Sequence, residues 1–322
     1  MHFGMEEKMI ADRYKHPLVS IITPSYNAMP FIRENIESVL KQDYQPIEHI
    51  VIDGNSTDGT VQVLDEYPHL VWLTEPDRGQ SDALNKGFAL AKGDIIGWLN
   101  ADDTYPDGAV AAAVDFLERH AEIDLVYGDI RIIDETGNPV GVSKSKPFDL
   151  AKLLFENFIN QPSVFMRRRV IETLDGVNTD LQYVMDRELW LRAGMKFRMA
   201  YLESPALANF RLIPGTKSFQ HTPAFHREWV DVLGKLDRAG GMPVVPRSVV
   251  RRAIRKTTAQ YHLAKMIRAI GRRERVSVVA HCIRSCFFDP MLVFNRGLWK
   301  FIWMGVWGLP VDRLRKYRKG TL

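Results

Sequence analysis

Apolar residues in the first part of the chain occur in short β-branched runs that are separated by amphipathic stretches. Four runs have the pattern of buried strands, at residues 19–23, 49–53, 70–74 and 94–99. Helical patterns of apolar residues begin at Pro30, Thr60, Gln80 and Pro106. This alternation of strands and helices predicts an α/β fold with a mostly parallel, doubly wound sheet.

The pattern changes after residue 120. One apolar run at 125–133 and a second at 140–143 flank a turn sequence, which predicts a hairpin. Two more strands are predicted near residues 163–166 and 197–202, and a short helix at 186–193. Residues 239–246 have the composition of a linker, and the chain beyond them is helical and basic.

The formal net charge of +4 hides an uneven distribution of charge. Residues 247–322 contain 18 Lys and Arg against 3 Asp and Glu, whereas residues 1–246 contain 25 and 36. Aromatic residues crowd into positions 287–307 among these basic residues, a pattern typical of chains that lie on a membrane. We therefore expect peripheral contact with an anionic membrane surface. Nucleic acid is the alternative partner, but no nucleic-acid-binding motif is present, so we expect none.

Several classes of protein do not fit the sequence. The two cysteines, Cys282 and Cys286, provide no disulfide framework, which agrees with a reducing cytosol. Residues 1–17 contain acids and no apolar core, so they do not form a signal peptide, and no apolar run is long enough to cross a bilayer. The expected location is cytoplasmic, at the cytoplasmic face of the inner membrane. Neither a G-x-G-x-x-G element after the first strand nor a P-loop motif occurs.

Polar clusters follow each of the four predicted parallel strands, at residues 23–27, 53, 77–79 and 100–103. Parallel sheets bind ligands outside the carboxyl ends of their strands, so these clusters predict one binding rim. The adjacent carboxylates of Asp102 and Asp103 repel each other unless a cation lies between them. Their oxygen atoms suit Mn²⁺ or Mg²⁺ shared with a diphosphate. The other interpretation is a pair of solvated or helix-capping acids before Pro106.

The motifs in these clusters occur in a recognisable order: Pro24-Ser-Tyr-Asn27, then residues 51–60, 75–87 and 97–103. Together they resemble the signatures of the family 2 inverting nucleotide-sugar glycosyltransferases, over residues 17–218. The resemblance implies a GT-A fold with a helical C-terminal extension. It also implies transfer of a sugar from a nucleotide sugar, with a UDP-sugar as the expected donor. The expected acceptor is a saccharide or lipid-linked saccharide of cell-surface polysaccharide or glycolipid biosynthesis.

On this basis the chain divides into an N-terminal extension at 1–16, a catalytic domain at 17–238 and a basic amphipathic tail at 239–322. The catalytic domain comprises a donor-binding half at 17–120 and an acceptor-binding half at 121–238. The family's processive members carry a Gln-x-x-Arg-Trp element and several transmembrane helices. Because neither occurs here, we expect transfer of one sugar per encounter.

The resemblance also implies roles for the donor-side residues. Asp53 would accept the ring N–H of the base, and Tyr26 would stack on the base. Asp82 would lie near the donor sugar or ribose. Asp103 would ligate the metal, and Asp102 would contact the ribose or the same metal. The remaining nucleotide-sugar-binding residues expected from the motifs are Pro24, Asn27, Asn55 and Arg78. Arg78 could either face the diphosphate or cap its own loop.

The acceptor side follows from the second half of the resemblance. Asp186 is the implied general base, although Met185 stands where the family often has Glu. A helix N-cap is the other interpretation of Asp186. Glu188 is the second candidate for the acceptor side, and Gln161 is expected to line it.

The family's late motif, at residues 210–218, departs from its pattern at Ile213, where many relatives have His. The resemblance therefore leaves a third metal ligand open. Lys217 and His221 are candidates to replace that contact.

Two other functions remain possible from the sequence. A nucleotidyltransferase would also bind a nucleotide at such a rim, but it would carry a Gly-rich loop after the first strand. Residues 23–30 contain no glycine. An inactive binding protein of the same fold would lack at least one of the four acids Asp53, Asp102, Asp103 and Asp186. All four are present, and fold alone would not decide the function.

Overall fold

The computed structural model describes residues 16–213, 222–295, 297–299 and 302. These residues form two compact units, 16–213 and 222–302. The helix Thr222–Arg238, which the sequence analysis placed at the end of the catalytic domain, belongs to the second unit. The predictions for Lys217, His221 and the aromatic residues Phe301, Trp303 and Trp307 lie outside the described residues.

The first unit is built around a seven-stranded sheet in the order β3-β2-β1-β4-β8-β5-β9. Its strands are β1 Val19–Ser25, β2 Ile47–Asp53, β3 Val71–Thr74, β4 Ile95–Trp98, β5 Leu125–Gly128, β8 Phe165–Arg167 and β9 Met199–Leu202. Strand β8 runs antiparallel to β4 and β5, and the other pairs are parallel. The predicted α/β fold with a mostly parallel sheet is therefore confirmed.

A second sheet of three strands has the order β10-β6-β7. Its strands are β6 Ile130–Ile133, β7 Pro139–Ser143 and β10 Ala208–Arg211. The predicted hairpin is the antiparallel β6–β7 pair. The prediction of one strand over 125–133 was wrong, because the chain changes sheets at Asp129. The Asp129 carboxylate accepts hydrogen bonds from the Ser145 N–H (2.9 Å) and the Tyr201 hydroxyl (2.7 Å), which hold the break in place.

Seven helices of the first unit connect or cover the strands. They are α1 Met29–Leu40, α2 Thr60–Asp65, α3 Gln80–Leu90, α4 Ala109–Arg119, α5 Leu150–Leu153, α6 Arg168–Leu174 and α7 Met185–Lys196. Helix α4 begins three residues later than the predicted Pro106, directly after Gly108, which has a φ of +76°. The apolar faces of α1 and α4 are buried in two clusters with residues of the strands. This packing leaves the carboxyl ends of β1 to β4 at one edge of the sheet.

The second unit is helical. Its elements are α8 Thr222–Arg238, α9 Arg247–Gly271, α10 Arg275–Phe288 and a 3-10 turn at Pro290–Phe294. The predicted linker is the loop between α8 and α9. Helices α9 and α10 bury a small core of their own, and Cys282 lies in it as a free thiol. Among the described helices of the chain, none combines the length and the apolar character needed to cross a bilayer.

Candidate functional site

Asp53, at the carboxyl end of β2, is fully buried. Its carboxylate accepts hydrogen bonds from the Ser56 N–H (2.8 Å), the Ser56 hydroxyl (2.5 Å) and the Thr74 hydroxyl (2.8 Å). An ionised carboxylate has about four acceptor positions, so these bonds leave about one. Asp53 therefore holds the loop after β2 and ties it to the end of β3.

The loop after β1 is fastened to the loop after β2 through Asn27. This residue has a φ of +48°, a conformation that asparagine tolerates better than most residues. Its N–H donates to the Ser56 hydroxyl (2.8 Å), and its side-chain oxygen accepts from the Thr57 N–H (3.0 Å). Pro24 is buried opposite Ile52 in the sheet, and Asn55 is exposed at a φ of +64°. These residues shape the rim.

The Tyr26 ring stands at this rim and is 68% exposed. Gly54 and Asp77 lie close to it. A Cβ atom placed on Gly54 would come within 2.6 Å of Asp77 Oδ2 and 3.4 Å of Tyr26 Cδ2, so only glycine fits there without a shift. An exposed aromatic face of this kind can receive a flat ring by stacking.

Helix α3 begins at this edge, after Gly79, and Asp82 lies in its first turn. Asp82 accepts hydrogen bonds from the Arg78 guanidinium (3.0 Å) and the Arg78 N–H (3.2 Å). The hydrogen bond from the Arg78 side chain lowers the pKa of Asp82. Of the two interpretations of Arg78, the structure shows the loop-capping contact, with most of the side chain exposed. Lys86 lies between Asp82 and Glu75, at 3.5 Å and 2.7 Å.

The turn after β4 brings the carboxyls of Asp102 and Asp103 together. Asp103 is fully buried, and its Oδ1 accepts from the Arg211 N–H at 3.0 Å. Its Oδ2 is buried without a hydrogen-bond partner among the described residues. Burial, together with the neighbouring Asp102, raises the pKa of Asp103 well above its ordinary value, and burial also raises the pKa of Asp102. A buried carboxylate oxygen with no partner is costly unless a cation binds it.

These two carboxyls fit a small divalent cation. Oxygen ligands from one or two carboxylates, completed by phosphate oxygens and water, are the set that Mg²⁺ commonly takes. Within residues 16–213 and the described part of the second unit, no group of three or more His, Cys, Asp or Glu side chains is arranged to hold a metal. The Ile213 side chain offers no ligand atom. Among the described residues, Asp102 and Asp103 are therefore the ones that would hold the ion.

Arg211 anchors this turn, and the sequence analysis did not single it out. Its side chain is 1% exposed and forms an ion pair with Glu34. Its Nε donates to the Asp102 carbonyl at 3.0 Å, and its Nη1 donates to the Glu135 carbonyl at 3.1 Å. The guanidinium also lies 5.2 Å from the centre of the Phe31 ring. The one signal in the sequence was an arginine inside the late motif, and its partners could not be read from the chain.

Gln161 joins a network at the end of β4. Its amide nitrogen donates to the Trp98 carbonyl (2.6 Å), and its amide oxygen accepts from the Asn100 side chain (3.0 Å). The Asn100 side-chain oxygen accepts from Gln80 (2.8 Å) and from the Trp98 indole (2.9 Å). Gln161 therefore lies near the Asp102–Asp103 turn, and its place on the acceptor side stays a prediction. Asn100 belongs to the polar cluster predicted for the rim, whereas Gln80 was not among the residues predicted for the site.

Asp186 lies in the first turn of α7, after the N-cap residue Val184, so the N-cap interpretation was wrong. Its Oδ2 accepts from the Asn157 amide at 3.2 Å. Burial raises the pKa of Asp186, and hydrogen bonds from the Arg187 N–H and the Asn157 amide oppose that shift. A carboxylate with a raised pKa is a better proton acceptor. One turn further along α7, Trp190 lies beside Trp98, with ring centroids 6.4 Å apart, which links α7 to the end of β4.

Glu188 is occupied by a structural contact. Its two carboxylate oxygens accept from the Arg192 guanidinium, both at 2.8 Å. Arg192 also donates to the carbonyls of Leu174 (2.6 Å) and Gly176 (2.9 Å). This bidentate pair pins α7 to the end of α6, and it distinguishes Glu188 from Asp186.

The sequence matches the profile described as glycosyl transferase family 2 over residues 20–174. An uncharacterized glycosyltransferase of Mycobacterium tuberculosis is 33% identical over 189 residues, which cover 56% of this chain and 70% of that protein. A PGL/p-HBAD biosynthesis glycosyltransferase of Mycobacterium bovis is 31% identical over 182 residues, which cover 55% of this chain and 69% of that protein.

Two solved structures have a similar fold. TarS 1–349 of S. aureus, crystallised in complex with UDP-GlcNAc, has a TM-score of 0.60 and 16% identity, over 82% of this chain and 88% of that chain. The mannosyltransferase PcManGT of Pyrobaculum calidifontis, in complex with GDP-Man and Mn²⁺, has a TM-score of 0.58 and 19% identity. That match covers 99% of this chain and 96% of the other. At these identities the likeness shows the fold.

Proposed function

Because the chain belongs to glycosyltransferase family 2, we propose that it transfers one sugar from a UDP-sugar to a hydroxyl group of a cell-surface glycan precursor, with inversion at the anomeric carbon. The observation that carries the proposal is the unpartnered Asp103 oxygen beside Asp102, at the end of β4. The mycobacterial relative named for PGL/p-HBAD biosynthesis supports a glycolipid acceptor, and the UDP-GlcNAc complex of TarS supports a UDP-sugar donor.

The donor binds along the carboxyl ends of β1 to β4 in this proposal. The exposed Tyr26 ring stacks on the base, and the buried Asp53 holds the loop beneath it with one acceptor position left for a ring N–H. Asp82 faces the ribose or the sugar from the first turn of α3. Arg78, which is largely exposed, can turn towards the diphosphate at little cost, because exposed ion pairs contribute little free energy.

Mn²⁺ or Mg²⁺ is the proposed cofactor, and Asp102 and Asp103 are the residues that would hold it. When bound, such an ion stabilises the negative charge that develops on the departing diphosphate. The Mn²⁺ in the PcManGT complex supports the choice of metal. Without a cation, the buried Asp103 carboxyl keeps an oxygen that has no partner among the described residues, next to a second acid.

Asp186 is the proposed general base. The acceptor hydroxyl gives its proton to the Asp186 carboxylate as its oxygen forms a bond to the anomeric carbon. The bond from that carbon to the diphosphate oxygen breaks, and its electron pair leaves with the nucleoside diphosphate. Asn157 holds one carboxylate oxygen by a hydrogen bond, and the proposal places the carboxylate towards the acceptor hydroxyl. Gln161 lines the acceptor side next to Asn100.

A nucleotide-release assay tests the proposal. The full-length protein is incubated with a panel of UDP-sugars and GDP-sugars, with and without Mn²⁺ or Mg²⁺, and the released nucleotide is measured. Slow hydrolysis of the donor reports the donor without an identified acceptor. Asp103→Asn is compared with Asp115→Asn, a matched control in which the aspartate is 54% exposed on helix α4 and pairs with Arg119.

Metal-dependent release of UDP from one sugar, lost in Asp103→Asn and kept in Asp115→Asn, would support the proposal and name the donor. Release from GDP-sugars alone would overturn the choice of UDP. If no donor is hydrolysed and no nucleotide binds in a metal-dependent way, the inactive binding protein becomes the better description.

A further inference from the structure

The second unit carries a basic groove that the proposed transfer reaction does not use. It has a volume of about 700 Å³ and lies between the first turns of α9 and the turn that follows α10. Four cationic side chains line one wall, Arg251, Arg252, Arg255 and Lys256, and all four residues are exposed. The other wall contains Phe288 and Met291. Because the cations recur at positions i, i+1, i+4 and i+5 of one helix, they share one side of α9.

Among the cations that line this groove, Arg252 and Arg255 form no ion pair with the described residues. Arg251 shares the Asp237 carboxylate with Arg247, at 3.2 Å and 2.9 Å. Asp289 is an acid in the lining, and its carboxyl accepts from the Met291 N–H at 3.2 Å. Four cations therefore outnumber the two nearby acids, Asp289 in the lining and Asp237 beside Arg251, so the groove carries a positive net charge.

A stripe of exposed apolar residues runs along α10, whose last residue, Phe288, lines this groove. Its members are Val276, Val279, Ile283 and Phe287, at intervals of three, four and four residues. This spacing puts them on one face of the helix. Val276 is 85% exposed and Phe287 is 72% exposed, whereas Val278 and Cys282, on the opposite face, are buried. The stripe continues into the 3-10 turn through Met291 and Phe294, both more than 70% exposed.

We propose that this groove and this stripe together form a docking surface for an anionic phospholipid bilayer. The apolar side chains would enter the boundary between headgroups and acyl chains, and the arginines would contact lipid phosphates. The large apolar residues are exposed next to basic ones on short, neighbouring segments, which is the arrangement that lies on a membrane without crossing it. The inference goes beyond the proposed transfer reaction and does not depend on it.

Charge favours a lipid surface over a second copy of this chain. Residues 247–288 contain 11 Lys and Arg and one acid, Glu274. A dimer built on this face would bring two sets of the same cations together in a low-dielectric interface, which is unfavourable. An anionic bilayer supplies the opposite charge over the whole face and accepts the apolar stripe at the same time.

Vesicle flotation of the full-length protein tests the inference. One set of vesicles contains phosphatidylcholine alone, and in the other about a third of the lipid is phosphatidylglycerol. The groove variant is Arg252→Glu with Arg255→Glu. Its control is Lys41→Glu with Arg119→Glu, which changes the net charge equally at two exposed positions of the first unit. Phe287→Ser tests the stripe separately, at a position too exposed to support the fold.

The protein should float with the phosphatidylglycerol vesicles and not with phosphatidylcholine alone. Since each basic residue near an anionic surface contributes a factor of about 5 in binding, the groove variant should bind on the order of 30-fold more weakly than the control. Phe287→Ser should weaken binding by about 10-fold, because it removes one aromatic side chain that would be buried in the bilayer when the protein binds. Equal flotation of the groove variant and its control would overturn the inference, as would equal flotation with both kinds of vesicle.

The assay also separates this inference from the proposed function. Flotation is measured without donor or metal, so a protein that lacks transferase activity would still float. Donor hydrolysis is measured without vesicles, so the groove variant should release nucleotide at the rate of the control. Loss of binding to a single-stranded RNA in the groove variant, with flotation unchanged, would assign the surface to nucleic acid and overturn the inference.

Discussion

Replacing the buried Arg211 with methionine should destabilise the first unit and damage the metal-holding turn together. The change keeps a long apolar side chain against Phe31 but removes the guanidinium, which forms the ion pair with Glu34 and donates to the Asp102 and Glu135 carbonyls. The backbone N–H of residue 211 still reaches Asp103. The loss therefore falls on the position of the turn rather than on the direct contact with the carboxylate.

The magnitude follows from which partners water can replace. The Glu34 side chain is 58% exposed, so its charge can be solvated and the pair contributes at most about 1 kcal/mol. The Glu135 carbonyl belongs to an exposed turn, where water can take over. The Asp102 carbonyl loses a charge-assisted hydrogen bond, which is typically about 1.5–3 kcal/mol. We expect the free energy of unfolding to fall by about 3 kcal/mol, and the Tm by about 6–12 °C.

Scanning calorimetry of the metal-free protein measures the change in stability. The rate of metal-dependent UDP release measures the change in activity of the site. Residues that orient metal ligands through hydrogen bonds commonly affect metal affinity or activity by about 10–100-fold, so release should fall by that factor at a fixed Mn²⁺ concentration. Glu34→Gln is the matched control, because it removes the exposed partner's charge but keeps an acceptor for the buried guanidinium, and it should cost less than about 1 kcal/mol. If Glu34→Gln is as damaging as Arg211→Met, the ion pair dominates and the reasoning about the Asp102 carbonyl is wrong.

Three further results are expected. Asp103→Asn should lower metal-dependent UDP release at least about 100-fold without lowering the Tm of the metal-free protein. The reason is that the amide has nearly the size of the buried carboxyl, whose charged form is disfavoured without a cation. A large drop in Tm by calorimetry would contradict this. Asp186→Asn should slow transfer to an acceptor by about 10²–10⁴-fold and leave UDP binding unchanged by titration calorimetry; weaker UDP binding would place Asp186 on the donor side. Transfer should be lost as the pH falls through the raised pKa of Asp186, since only the carboxylate accepts a proton. Asn157→Ala should move this acidic limb of kcat/KM to higher pH, because the hydrogen bond from Asn157 lowers the pKa of Asp186. An unmoved limb would exclude Asn157 from positioning the base.

Local patterns were sufficient to predict the fold class and the rim. β-branched runs of five or six residues, spaced by amphipathic helices, specify buried parallel strands, and the four strands predicted before residue 100 all occur. Since parallel strands point the same way, polar residues after each strand had to meet at one edge. The polar clusters after these strands, from Tyr26 and Asp53 to Asp77 and Asp103, lie at that edge for this reason.

The break at Asp129 shows where local patterns end. Residues 125–133 read as one apolar run, but Ser145 and Tyr201 hold Asp129 at the point where the chain changes sheets. Both partners are distant along the chain, so the run itself carries no signal of the break. Glu188 is a similar case, because its acidic side chain resembles a candidate for the acceptor side until Arg192 and its contacts are seen.

The sequence by itself determined which elements form and which chemical groups follow the strands, because both depend on residues that are neighbours along the chain. Only the tertiary structure decided which of those groups are left unpartnered. Arg211 and Asp102 are 109 positions apart, yet the Arg211 side chain holds the Asp102–Asp103 turn through the Asp102 carbonyl. In that turn one Asp103 oxygen has no partner among the described residues. Such partners are brought together by the packing of whole elements, since burial excludes water and makes each remaining polar contact specific.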